Sequence, residues 1–316
     1  MPYRKCGISG LKLPAISLGA WETFGGYRGP EVARACIHRA FNLGINHFDL
    51  ANNYGRPPGQ AETVVGRVLA DLPRHEVVVS TKAGFLMWPG PYGEGCSRKA
   101  LGDSLDQSLQ RLGLDHVDIF YAHRFDPETP LEETLGALDQ FVRAGKALYV
   151  GVSNYSGQQL EEAAGLARHA HFAPITVEQS SYSLLNRRIE SGLLGSARQV
   201  GAGVIAFSPL AQGLLSEKYL TGFPEESRAI KMWSAEQREK LTPVLWEKIR
   251  RLNDIARLRG QTLPQMALAW VLRQPEITSA LIGASDVSQI DENIKALDNL
   301  AFSPEELRQI DAAVAT

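Results

Sequence analysis

The run Glu76-Val77-Val78-Val79-Ser80-Thr81-Lys82 decides how the chain folds. Its three consecutive valines lack the alternation of a half-exposed strand. A continuous apolar run suits a strand covered on both faces, as in a parallel sheet clad in helices. The run then ends on two hydroxyls and an amine. Working outward, similar runs lie at Ala15–Gly19, Asn46–Leu50, Val117–His123, Ala147–Ser153, Ile175–Gln179, Val204–Ser208 and Ala280–Gly283. Their starts are spaced by 31, 30, 41, 30, 28 and 29 residues, and then by 76. A strand and its helix take about 30 residues, so the period is that of a repeated strand–helix hairpin.

The intervening segments read as helices. Pro30–Leu43 opens on proline and closes at Gly44, the favoured order of these two residues. Ala61–Leu72 carries Val64, Val65, Val68 and Leu69 on one stripe, and Ser97–Leu112 carries Leu101, Leu105 and Leu109 before stopping at Gly113. Leu131–Ala144 stops at Gly145. Eight such units predict a (β/α)8 TIM barrel, one domain spanning residues 1–316. An open doubly wound sheet is the alternative. The turn-rich first residues (Gly7, Gly10, Pro14) predict a small hairpin plugging the barrel bottom. The surplus before strand eight, Ala211–Gln261, predicts a long excursion with extra helices near a ligand.

Composition narrows the class. Of 316 residues, 44% are hydrophobic, 8% aromatic and 22% charged, which excludes disordered, collagen-like and disulfide-framework chains. The net charge of −2 gives no footprint for nucleic acid. No apolar run is long enough to span a membrane, and the start lacks the apolar core of a secretory signal. Cys6, Cys36 and Cys96 are few, odd in number and without a Cys-x-x-Cys. A reducing compartment, the cytoplasm, is expected. Cys96 lies in a glycine-rich stretch and reads as an ordinary loop thiol rather than a reactive one.

Barrel enzymes gather their working groups at the carboxyl ends of the strands. There the sequence places Asp49 to Gly55, Lys82, His123 and Arg124, Ser153 and Asn154, Gln179, Ser208 to Leu210, and Gly283 to Ser285. Buried charges such as Asp49 and Lys82 are expensive unless paired. A phenol is a poor acid at neutral pH, and an adjacent ammonium favours the phenolate. At ~4 Å and an effective dielectric of ~20 that attraction is at most about 4 kcal/mol. Lys82 is therefore expected to make Tyr54 more acidic, with Asp49 anchoring Lys82 and His123 positioning a carbonyl oxygen. None of the four donates hydride, so a reduced nicotinamide or similar cofactor is required.

The segments Phe48-Asp49-Leu50-Ala51-Asn52-Asn53-Tyr54-Gly55, Ser80-Thr81-Lys82 and Tyr121-Ala122-His123-Arg124 resemble the tetrad segments of the aldo-keto reductase superfamily. Val150 to Asn154, Glu178-Gln179 and Leu281 to Ser285 continue the resemblance in order over nearly the whole chain. Asn186-Arg187 and Ser208 to Leu215 narrow it to the branch of potassium-channel β subunits and bacterial L-glyceraldehyde 3-phosphate (methylglyoxal) reductases; the loop Met87 to Gly93 is most similar to the latter. The resemblance implies Asp49, Tyr54, Lys82 and His123 as catalytic tetrad, Tyr54 as proton donor, and reduction of small aldehydes with NADPH.

The cofactor would be held without a Gly-x-Gly-x-x-Gly turn, and none follows a strand here. Ser285 could cap a helix beginning near Asp286, whose free amides suit a phosphate. By resemblance, Ser285 and Gln289 meet the adenosine 2′-phosphate, Glu292 and Asn293 the adenine, and Ser153, Asn154 and Gln179 the nicotinamide amide. Ser208, Leu210, Gly213 and Lys218 would line the pyrophosphate with Arg228 nearby; Gly283 and Trp21 complete the cofactor set. Asp286 departs from the pattern, since many relatives carry a basic residue there, and an acid beside a phosphate is unfavourable unless it points away.

Trp21, Trp88 and Tyr92 are candidate walls of the carbonyl pocket, and Arg124 is a candidate for an anionic substrate, with a structural ion pair as its alternative. His169 and His171 form a His-x-His pair lacking a third ligand, so no metal is expected. Two other functions stand beside the reductase. One is a nicotinamide-binding, redox-sensing regulatory subunit with little turnover. The other is a metal-dependent hydrolase, disfavoured because only His123 among the histidines sits at a strand end. The resemblance extends to homo-oligomers, which no feature of the sequence itself specifies.

Overall fold

The computed structural model describes residues 1–220, 234 and 241–315. An antiparallel hairpin, β1 (Tyr3–Lys5) and β2 (Lys12–Pro14), precedes eight parallel strands. These are β3 (Ile16–Gly19), β4 (His47–Asp49), β5 (Val78–Ala83), β6 (Val117–Ala122), β7 (Ala147–Ser153), β8 (Ile175–Ser181), β9 (Gly203–Phe207) and β10 (Ile277–Ile282). They pair in chain order, and β10 pairs back onto β3 with Ala280 opposite Ile16 and Ile282 opposite Leu18. That last ladder makes the sheet a closed (β/α)8 barrel and disposes of the open sheet. The eighth strand begins three residues before the expected Ala280. Thr278 and Ser279 hid its start, because Ser279 turns inward and bonds Ser17 Oγ at 2.6 Å.

Helices clad the barrel as the stripes predict. α1 (Pro30–Asn42) opens on proline, and α2 (Gln60–Leu69) buries Val64, Val65, Val68 and Leu69. α3 (Arg98–Leu112) is capped by Ser97, whose side chain accepts the Ala100 amide, and buries Leu101, Leu105 and Leu109. Gly113 ends it in the left-handed conformation, φ +67°. α4 (Leu131–Arg143), α5 (Gly157–His169) and α6 (Leu193–Val200) follow. Between β9 and β10 lie α7 (Pro243–Leu258), an addition to the barrel pattern, and α8 (Leu263–Leu272). α8 is apolar except at Gln265 and buried except at Pro264, with Trp270 in its last turn. α9 (Val287–Ile294) and α10 (Pro304–Ala315) close the chain. Part of the long excursion, including Arg228, lies outside the described residues.

The hairpin closes the end where the strands start. Cys6, Leu11 and Leu13 pack with the inward side chains Ile119, Tyr121, Val177, Ile205 and Leu281. The fit depends on Gly203, where a Cβ would lie 2.5 Å from Cys6 Sγ. With the bottom sealed, the opening is left at the carboxyl ends of the strands, where the polar residues gather. No described helix is long and apolar enough to cross a membrane.

Candidate active site

Asp49 closes β4 and Lys82 lies one strand over in β5, with Asp49 opposite Ser80 in the ladder. Both side chains are buried, and Lys82 Nζ donates to Asp49 Oδ2 at 2.5 Å and to the Leu50 carbonyl at 2.6 Å. Asp49 Oδ1 accepts from Ser80 Oγ at 2.6 Å and from Gln179 Nε2 at 3.1 Å. The carboxylate is thus held by three donors, as a buried charge requires.

Tyr54 stands in the turn after β4, and its carbonyl accepts the amides of Gly59 and Ala61, both at 3.1 Å. Gly55 permits that turn: its φ is +96°, and a Cβ would lie 2.5 Å from the Ala61 nitrogen. The centre of the Tyr54 ring is 5.4 Å from Lys82 Nζ. His123, immediately after β6, meets Tyr54 edge-on with ring centres 5.8 Å apart. The four expected tetrad side chains therefore converge at one end of the barrel.

Their electrostatics differ from the expectation in one respect. Burial, reinforced by the Asp49 charge, pushes the Tyr54 phenol up from its ordinary value, not down. At neutral pH the hydroxyl keeps its proton, the form a proton donor needs. Burial lowers Lys82 while Asp49 pushes it back up. Burial, with help from the Lys82 charge, holds His123 well below the usual histidine range, so the imidazole is neutral. Its Nδ1 is buried without a partner among the described residues.

A cavity of about 880 Å³ opens from Asp49, Tyr54 and His123 and runs to Ser285 and Asn293 on the far side of the mouth. Its volume lies in the range of small-molecule sites. It is lined by every expected cofactor residue that the structure describes: Trp21, Ser153, Asn154, Gln179, Ser208, Leu210, Gly213, Lys218, Gly283, Ser285, Gln289, Glu292 and Asn293. Asn154 (φ +60°) and Ser208 (φ +53°) turn left-handed at their strand ends, a conformation that ordinary residues keep only where the surroundings enforce it. The turn lets Asn154 Nδ2 reach the His123 carbonyl at 3.2 Å, and Ser153 Oγ donates to the Gln179 carbonyl at 2.8 Å. A long groove with amides and hydroxyls at one end and a helix start at the other fits a dinucleotide.

A family model described as "Aldo/keto reductase family" matches residues 15–315. The chain belongs to the aldo/keto reductase family. This aldo/keto reductase is an oxidoreductase and is 52% identical to a protein of Escherichia coli (strain K12) named L-glyceraldehyde 3-phosphate reductase, over 100% of this chain and 93% of the relative. It is 38% identical to a probable voltage-gated potassium channel subunit beta of Oryza sativa subsp. japonica, over 99% of this chain and 97% of the relative. A putative subunit of the same kind from Schizosaccharomyces pombe (strain 972 / ATCC 24843) is also 38% identical, over 98% of this chain and 92% of the relative.

Other expectations change in this aldo/keto reductase. Asp286, not Ser285, caps α9: its carboxylate accepts the Ser288 amide at 2.8 Å and hydroxyl at 2.6 Å. Ser285 instead pairs with Gln289, its amide donating to Gln289 Oε1 at 3.0 Å. Glu292 keeps its place in the cavity lining, its Oε1 accepting from Gln265 at 2.6 Å and Thr262 at 3.1 Å.

Trp88, Tyr92 and Arg124 are not among the cavity's lining residues. Tyr92 is 49% exposed under Lys99, and Arg124 binds the Gly84 carbonyl at 3.0 Å and Glu94 at 2.9 Å. Arg124 thereby lies over the ring of Phe85. Phe85, which the sequence reading missed, meets His123 edge-on at 4.8 Å and forms the wall with Trp21 and Tyr27. Its signal was its place, three residues past Lys82 in a loop at a strand end.

Cys96 is buried and its thiol is pushed up to about 12, chiefly by burial, which disfavours the thiolate that reactivity requires. Among the described residues no group of three His, Cys, Asp or Glu could hold a metal ion.

Proposed function

We propose that this chain reduces small aldehydes to alcohols with NADPH, Tyr54 donating the proton. The observation that carries the reading is the buried Lys82–Asp49 pair, 2.5 Å apart, under the Tyr54 ring and beside His123 at the mouth of the cavity. The 52% identity to an L-glyceraldehyde 3-phosphate reductase supports the same class of substrate.

When bound, the reduced nicotinamide supplies the hydride. Ser153, Asn154 and Gln179 would hold its amide, and Lys218, Ser285 and Gln289 would meet its phosphates, all six lining the cavity. The aldehyde oxygen sits between Tyr54 and the neutral His123, which orients it without competing as an acid. As negative charge grows on that oxygen, Tyr54 gives up its phenolic proton, and Lys82 stabilises the phenolate left behind. Asp49 keeps Lys82 charged against the burial that favours its neutral form. Trp21, Tyr27 and Phe85 wall the cavity beside these groups and offer an apolar face to a small aldehyde.

The test is a cofactor titration followed by a panel of aldehydes that includes methylglyoxal and glyceraldehyde 3-phosphate. Tyr54→Phe is expected to quench NADPH fluorescence on binding as the parent does, and to lose nearly all turnover. Full turnover by that variant would overturn the assignment of Tyr54. Cofactor binding with negligible turnover of every carbonyl would favour the redox-sensing subunit.

A further inference from the structure

Beneath the candidate tetrad runs a second polar row that the proposed chemistry does not use. Ser279 of β10 and Ser17 of β3 are joined Oγ to Oγ at 2.6 Å. Ser17 Oγ meets His47 Nδ1 at 2.8 Å, and His47 Nε2 meets Ser80 Oγ at 3.0 Å. Ser80 Oγ then donates to Asp49 Oδ1 at 2.6 Å. Ser279, Ser17, His47 and Ser80 are all 0% exposed. The row crosses four neighbouring strands at a level where barrel interiors are ordinarily filled by branched apolar side chains. A buried polar network costs stability unless every member is satisfied, and this one is satisfied end to end.

The direction of each bond follows from its end point. An ionised carboxylate only accepts, so the Ser80 proton points at Asp49. Ser80 Oγ is then open to the proton of His47 Nε2. A neutral imidazole with its proton on Nε2 accepts at Nδ1, so Ser17 donates there and accepts from Ser279 in turn. The ring is neutral at physiological pH. Burial pushes His47 down to about 4, with Asp49 and Asp118 raising it and Lys82 lowering it.

We infer that His47 is a positioning residue: acting through Ser80, it fixes the carboxylate of Asp49 and, through Asp49, the ammonium of Lys82 beneath Tyr54. The inference rests on the reading of Tyr54 and Lys82 given above. Ser80 and Gln179 occupy Oδ1, so Oδ2 is left facing Lys82 Nζ. Without the proton of His47 Nε2, the Ser80 hydroxyl is free to rotate away. Asp49 then loses its shortest tie on Oδ1, and a small displacement of the amine at a reacting centre has a large effect on rate.

The experiment compares His47→Leu, His47→Gln, Ser80→Ala and the His47→Leu/Ser80→Ala double variant with the parent and with Tyr54→Phe. Folding is followed by thermal melts, NADPH affinity by fluorescence, and kcat with an aldehyde that the parent turns over. His47→Leu and Ser80→Ala are each expected to lower kcat about tenfold while leaving the cofactor Kd and the aldehyde KM near the parent values. His47→Gln is expected to regain most of that loss, because its amide can donate to Ser80 from about the place of Nε2. The double variant is expected to be no slower than the worse single one, since both changes cut one relay.

Parent-like kcat in His47→Leu, a loss as large in His47→Gln, or losses that multiply in the double variant would each overturn the inference. Should His47→Leu fail to fold, Ser80→Ala carries the test by itself, and parent-like kcat in it has the same force. Full turnover by Tyr54→Phe in the same series would overturn the reading of the tetrad instead, which separates the two failures.

Discussion

Gly151 and the ring of Tyr121 occupy space that only a residue without a Cβ can share. A Cβ at Gly151 would stand 2.7 Å from both Tyr121 Cδ1 and Cε1, and 2.7 Å from Val177 Cγ1. The ring so accommodated lies under the candidate site, with its centre 5.5 Å from Lys82 Nζ. Lys82 therefore sits against two phenol rings, Tyr54 and Tyr121. Gly151→Ala is expected to destabilise the fold by about 1–3 kcal/mol through overpacking. It is also expected to lower kcat more than it changes cofactor affinity, because the displaced ring moves against the amine. Urea denaturation and steady-state kinetics check the pair of effects. Unchanged stability would show that the interior has slack the geometry denies.

Glu178 is a buried carboxyl whose hydrogen bonds, from the Ser180 side chain and the Tyr155 and Asn154 backbone, do not offset the cost of its burial. Ser180 Oγ donates to its Oε1 at 2.7 Å. Burial pushes its pKa up to about 8. The folded chain thus holds a proton that the unfolded chain releases above about 4.5. Stability contributed by that protonated form is present below this value and is lost as pH rises toward 8. Glu178→Gln removes the ionisation and keeps an oxygen for Ser180. It is expected to raise stability by at least about 1 kcal/mol at pH 8 and to change it little at pH 4.5. Melting curves at the two pH values test this, and a lower Tm at pH 8 would sink it.

The barrel was legible because its strands announce themselves twice, by apolar continuity and by a polar residue at the end. Val77 to Lys82 and Val117 to His123 carry both marks, and their observed strands, Val78–Ala83 and Val117–Ala122, agree to within a residue or two. The eighth strand began earlier than read because Thr278 and Ser279 look like the end of a loop. Only the bond from Ser279 to Ser17 across the ladder makes that serine an interior residue.

The lining of the cavity was legible where it follows chain order along strand ends, as for Asn154, Gln179 and Ser285. It was illegible where loops fold back: nothing local distinguishes Phe85, which reaches His123, from Trp88 and Tyr92, which do not line the cavity. The acidity of Tyr54 was misjudged because distance alone weighs the amine, whereas burial and Asp49 act on the phenol in the opposite sense.

His47 gives the fold an acid-sensitive element. Its folded pKa of about 4 lies below the usual 6.5, so between these values the unfolded chain binds a proton that the folded chain refuses. The stability of the neutral, bonded form is complete above pH 6.5 and is lost as pH falls toward 4. At pH 5 the loss from this one ring amounts to roughly 2 kcal/mol relative to neutral pH. His47→Gln keeps hydrogen-bonding capacity but cannot titrate. Between pH 7.5 and 5 it is expected to lose less stability than the parent by that amount. Denaturant titrations at the two pH values measure the difference, and identical losses would refute it, since the contribution of His123 is common to both proteins.

Asp286 sets the last prediction, which concerns the proposed NADPH. Its carboxylate is held below the usual range, first by the Ser288 hydroxyl and then by the Ser288 amide, so it is ionised at neutral pH. It caps α9 beside Ser285 and Gln289, the residues proposed to meet the 2′-phosphate. A fixed negative charge next to that phosphate opposes binding, while the neutral ribose hydroxyl of NADH is indifferent to it. Asp286→Ser removes the charge and keeps a side chain able to cap the helix. It is expected to lower the KM for NADPH roughly twofold to fivefold, the scale of an exposed charge interaction, and to leave that for NADH unchanged. The gain should shrink in 1 M salt, where the screening length falls to about 3 Å. An equal change for both cofactors would mean that the substitution acts through the helix start rather than through charge, and that the 2′-phosphate lies elsewhere.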